Sequence, residues 1–166
     1  MRRFWFVTTM AVLLLVQVSF LPAMRPFGVV PDLILVVVVL LGLDSTVSRA
    51  LTVGVVGGLL LDLSSGADFG LRTGLFIIMA LTAGLVQRSG LNVSGPIVAL
   101  ILVALGTVLQ TVAIIVSVAS SVASWQYGYV VSHLAIELMI NLSLVVVLHP
   151  LIRWLVAEPS EIMSVA

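Results

Sequence analysis

The residues of this chain that could do chemistry are few, and most of them sit inside apolar runs. Asp62 stands near the end of the segment Gly54-Val-Val-Gly57-Gly58-Leu-Leu-Leu-Asp62-Leu-Ser-Ser-Gly66, in which Gly54, Gly58, Asp62 and Gly66 recur every four residues. On a helix that spacing makes one ridge, with glycines at helix-contact spacing leading to a carboxylate. A carboxylate is costly in lipid, so a buried partner or a function is expected for it, the alternative being an interfacial residue or a cap of the next turn. His133, Glu137 and Asn141 fall at i, i+4 and i+8, one polar ridge on an otherwise apolar stretch. Such residues face a bundle interior or a watery cavity, where they serve helix–helix hydrogen bonding or a ligand. Pro31-Asp32 opens another apolar run. Proline suits the first turn of a helix and the dipole favours an acidic residue there, so the pair reads as a helix cap. Gln110, Ser117, Ser121 and Ser124 roughly share a face and read as small-residue packing.

These residues do not assemble into a recognisable catalytic set. The absence of cysteine excludes a disulfide, a haem attachment and a thiolate metal site. His133 and Glu137, one turn apart, could share an ion, but His149 lies toward the other end of the last apolar run and nothing completes the shell. No metal and no cofactor are therefore expected. There is no G-x-S-x-G elbow, no H-E-x-x-H and no phosphate-binding loop. Asp32 and Asp62 could be paired on paper as an intramembrane aspartyl protease, but nothing in their flanks supports that chemistry. The expectation is a protein without catalytic residues.

The elements that hold these residues follow from composition. The 166 residues are 61% hydrophobic and only 8% charged, with a mean hydropathy of +1.34. A soluble domain carries roughly 25% charged residues, so the chain reads as an all-α integral membrane protein. No polar stretch is long enough for a soluble domain, and a net charge of zero excludes a broad basic surface for nucleic acid. A span needs about 20 mainly apolar residues. Six candidates satisfy or approach this, at 4–21, 29–43, 50–63, 71–86, 96–125 and 129–152, all within one transmembrane domain. The second and third are short, either thin spans or a re-entrant pair. Arg2-Arg3 and the run that follows resemble a signal peptide, but everything downstream is equally apolar, so a retained span is expected.

All seven basic residues are arginines. With six crossings and both termini in the cytoplasm, Arg2, Arg3, Arg49, Arg88 and Arg153 fall inside and only Arg25 and Arg72 outside, as the positive-inside rule asks. That orientation puts Asp32, Asp62, His133 and Glu137 in the outer half of the membrane, with Arg72 opening span four on the same side. One outward cluster of ionisable groups is expected, with Arg72 pairing with Asp62 or Glu137.

At this point the chain resembles the MreD family, small integral membrane proteins of the bacterial rod-shape system. The resemblance is carried by Pro31-Asp32-Leu33, by Gly54-Val-Val-Gly57-Gly58-Leu-Leu-Leu-Asp62-Leu, by Gly66, and by Gly70-Leu71 at the start of span four. Length, short loops and six spans fit as well. The resemblance implies a bundle similar to the substrate-binding subunits of energy-coupling vitamin transporters. It implies no catalysis, and a scaffold in the bacterial cytoplasmic membrane that works with MreC, RodA, a class B penicillin-binding protein and MreB. Asp62 would then hold the bundle or a partner helix, and Gly54, Gly57 and Gly58 would allow close approach. The same glycine ridge would serve a homo-oligomer. The competing reading is a transporter subunit that captures a vitamin in an outward cavity. Such a site wants several aromatic and polar groups around its ligand, and aromatics here are 7% and mostly terminal or interfacial.

Overall fold

The run Leu33-Ile-Leu-Val-Val-Val-Val-Leu-Leu41 is apolar on every side, and a helix without a polar face has to be surrounded. The computed structural model places it at the centre of the protein. It describes residues 2–25, 28–65, 69–89, 95–119 and 127–156. Among these, every element is helical: α1 (Arg2–Leu15), a π-helical segment (Val16–Phe20), α2 (Leu21–Met24), α3 (Leu33–Asp44), α4 (Val47–Ser65), α5 (Leu71–Arg88), α6 (Gly95–Ala119) and α7 (Tyr127–Val156). The stretches Phe4–Met24, Val47–Ser64, Leu71–Arg88, Gly95–Val116 and Val130–Val156 are long and apolar enough to cross a membrane.

Helix α3 is the exception among the expected spans. It has 12 residues, about 18 Å of helix against a hydrocarbon core of about 30 Å. It packs against α1, α4, α5, α6 and α7, and Leu33 through Gly42 are all buried. The expected span at 29–43 is therefore a short central helix preceded by non-helical backbone, sheathed by its neighbours. The helix starts late because Pro31 disfavours helix for the residue before it and Asp32 takes the cap conformation (φ −105°, ψ 83°). The other short candidate, expected at 50–63, is a full-length helix of 19 residues. Its polar ends, Ser48-Arg49 and Ser64-Ser65, extend the helix beyond the apolar run. Helix α7 likewise outruns the expected 129–152, continuing through Pro150 to Val156. The end of the span expected at 96–125, with Ser121, Ser124 and Trp125, lies outside the described residues, as do Gly66 and the tail from Glu158.

The glycine ridge of α4 packs within the chain. A Cβ on Gly58 would lie 2.5 Å from Cα of Thr73, and one on Gly54 would lie 3.3 Å from Cβ of Phe76, so both glycines bring α4 onto the backbone of α5. Gly57 faces α3, where a Cβ would lie 2.7 Å from Cγ2 of Ile34. Around the central helix, Gly106 of α6 makes room for Leu35, and Gly42 of α3 itself sits against Ala83 of α5.

Successive long helices alternate in direction, which sorts the polar residues to two ends. At one end Nε2 of His149 lies 3.5 Å from Oδ2 of Asp44, and the Arg49 guanidinium lies over the Phe6 ring at 5.6 Å. Arg88 and Arg153 stand in the last turns of α5 and α7 at this same end. Arg25 and Arg72 belong to the opposite end, where α3 begins.

Candidate functional site

The start of α3 lies inside the bundle, so its backbone polar groups need partners from side chains. Gln17 supplies two. It sits in the π-helical segment, is 1% exposed, donates from Nε2 to the Pro31 carbonyl at 3.1 Å and accepts from the Leu33 N–H through Oε1 at 2.8 Å. Asn141 of α7 supplies another, accepting from the Asp32 N–H at 2.9 Å through Oδ1. Its Nδ2 donates to Oγ1 of Thr107 on α6 at 3.0 Å, and that hydroxyl donates to the Val103 carbonyl at 2.9 Å. Asp32 closes the cap itself, its Oδ1 accepting from the Leu35 N–H at 2.9 Å. Three surrounding helices are thereby tied to the first turn of α3.

Asp62 does the same for α5. Buried at the end of α4, it accepts from the Gly70 N–H at 3.0 Å, the Arg72 N–H at 3.2 Å, the Thr73 N–H at 3.2 Å and the Thr73 hydroxyl at 2.6 Å. The first turn of α5 has no acceptor of its own, because its capping residue is Gly70, held at φ 95° where a side chain would be strained. Asp62 replaces the missing cap from the neighbouring helix, next to the Gly58–Thr73 contact. Arg72 thus meets Asp62 through its backbone N–H, a contact different in kind from the charge pair expected between their side chains.

Between the start of α3 and helices α5, α6 and α7 lies a cavity of about 170 Å³. Its polar lining is Gln17, Asp32, Arg72, Gln110, His133 and Glu137. The structure therefore brings together four residues of the expected outward cluster, Asp32, Arg72, His133 and Glu137. Asp62 and Asn141 stand outside the cavity wall. Arg72 acts electrostatically on both carboxylates, and the two carboxylates act on each other. Glu137 lies roughly 10 Å along the apolar stretch Val130–Val156. Among the described residues no three His, Asp or Glu side chains are grouped closely enough to hold a metal ion.

Two lining residues escape the sequence reading. Gln17 is one amide in a 21-residue apolar run, and the signal that could have found it is that an amide in lipid needs an internal partner. Gln110, read as packing, turns its side chain into the cavity and is 4% exposed. The side chains of Ser117, Ser121 and Ser124, grouped with it by sequence, lie outside the described residues.

Comparison of the chain with family models, curated proteins and solved structures gives no match.

Proposed function

We propose that this protein is a non-catalytic scaffold of the bacterial cell-elongation machinery, multi-pass in the cytoplasmic membrane, which organises peptidoglycan synthesis together with MreC. RodA, a class B penicillin-binding protein and MreB complete the set of partners that the MreD resemblance implies. The observation that carries this reading is the use of the motif residues. Pro31-Asp32 starts the central helix, Gly54 and Gly58 seat α4 on α5, and Asp62 and Gly70 start α5. The resemblance thus falls on residues that build a rigid helical body, as a scaffold needs, and not on a reaction centre.

Capture of a vitamin is the second reading, because a polar cavity is present at the expected end. Its size argues against it. Ligand pockets for molecules of that size are about 300–1,000 Å³ and rich in aromatic side chains. Here the cavity is about 170 Å³, with no Phe, Tyr or Trp in its lining among the described residues.

The test is co-purification of the full chain with a co-expressed MreC in mild detergent. A stable complex is expected, with no vitamin retained by the chain alone. Tight retention of a vitamin without a partner, and no complex with MreC, would replace the scaffold by the capture protein.

A further inference from the structure

Two buried acceptors in the cavity are unused. Oδ2 of Asp32 and Oε1 of Gln110 have no hydrogen-bond partner, and their residues are 2% and 4% exposed. The Gln110 side chain lies against the Asp32 carboxylate, and its own Oε1 stays unpaired. Unpaired buried acceptors are costly and rare, and each calls for a donor. The charges point the same way. Two carboxylates, Asp32 and Glu137, share the cavity with one permanent cation, Arg72, and with the titratable His133. Excess negative charge in a buried site is expensive unless a proton or a cation compensates it. The donor has to be monovalent and compact, since Arg72 opposes a second positive charge and no metal-holding group of three is present among the described residues.

We propose that the cavity binds a primary ammonium group, held by the Asp32 and Glu137 carboxylates and the Gln110 carbonyl oxygen. An ammonium has three donors and no acceptor, which suits a cavity lined by oxygen acceptors from three side chains. The volume of about 170 Å³ is far above the roughly 10–15 Å³ that a single water needs, so a short alkyl chain or a few waters fit beside the nitrogen. Two sources share this chemistry, the head group of phosphatidylethanolamine and a free small amine. The site is independent of the scaffold reading, because binding is measured on the chain alone.

The full chain is reconstituted in nanodiscs of phosphatidylglycerol, and its thermal unfolding is followed with ethylammonium chloride and, at equal ionic strength, with sodium chloride. In parallel, native mass spectrometry after delipidation compares retention of phosphatidylethanolamine with that of phosphatidylglycerol. Stabilisation by ethylammonium over sodium assigns a soluble amine, and selective retention of phosphatidylethanolamine assigns the lipid; either supports the site. Asp32→Asn, which keeps a capping oxygen, and Glu137→Gln, which bears no cap, are each expected to weaken binding at least tenfold. Asp44→Asn, at the opposite end of α3, is expected to leave it unchanged. Equal effects of sodium and ethylammonium without lipid selectivity, or binding unaltered in both cavity variants, would overturn the proposal.

Discussion

Asp62 illustrates how one side chain can hold two helices. Four donors from the first turn of α5 converge on its carboxylate, three of them backbone N–H groups. Asp62→Ala leaves those groups buried without an acceptor, and the expected loss is about 1–3 kcal/mol of stability. Asp62→Asn keeps one oxygen for Gly70 and Thr73 but presents an N–H₂ to the Arg72 N–H, so a smaller loss is expected. Thermal unfolding in detergent checks the order wild type, Asn, Ala; equal midpoints for all three would mean that the cap contributes nothing. The sequence marks Asp62 as a residue needing a partner, because charge in an apolar run is visible without a structure. It does not name the partner. The acceptor-poor start of α5 and the carboxylate are eight residues apart, with a turn between them whose geometry the residue types do not specify.

At the scale of elements, the central helix depends on polar side chains from other helices. The chain runs non-helically into α3 inside the bundle, and Gln17 and Asn141 carry the backbone groups that a longer helix would have satisfied itself. Gln17→Leu keeps approximate size and removes both bonds, leaving the Pro31 carbonyl and the Leu33 N–H unpaired. A destabilisation of about 1–3 kcal/mol is expected. Gln17→Glu retains the acceptor for Leu33 and is expected to fall between. Chemical or thermal unfolding in the same detergent measures both; a Leu variant as stable as wild type would show that the loop finds other partners. Helix length was the least legible property at this scale. Apolar residues continue on both sides of Pro31, so hydropathy alone extends the second span to 29–43, whereas the proline and the aspartate cap start the helix at Leu33.

At the scale of the whole molecule, the two ends differ in charge. Arg49, Arg88 and Arg153 gather at the Asp44–His149 end, and Arg25 and Arg72 at the end of the cavity. Since the chain contains no cysteine, single introduced thiols report topology without background. Arg25→Cys is expected to react with a membrane-impermeant maleimide in intact cells, and Arg49→Cys and Arg88→Cys only after permeabilisation. All three native residues are exposed, so access is set by the side of the membrane. Labelling of the latter two in intact cells would invert the orientation and turn the cavity toward the cytoplasm.

The sequence by itself determined that this is a helical membrane protein, where its long apolar helices run, and which ionisable residues had to be housed among them. Those conclusions rest on hydropathy, on charge counts and on the cost of charge in lipid, all of which are local or additive. Only the tertiary structure decided which polar residues meet. Gln17, Asp32 and Asn141 lie on three separate segments, and their pairing follows from helix rotation and depth, which apolar faces leave open when every face is apolar. The same holds for the glycines: spacing marked Gly54 and Gly58 as a contact ridge, and the packed bundle assigned that ridge to α5 of the same chain. The cavity is likewise a product of packing, formed where the short central helix begins and leaves that end of the bundle to be filled by polar side chains.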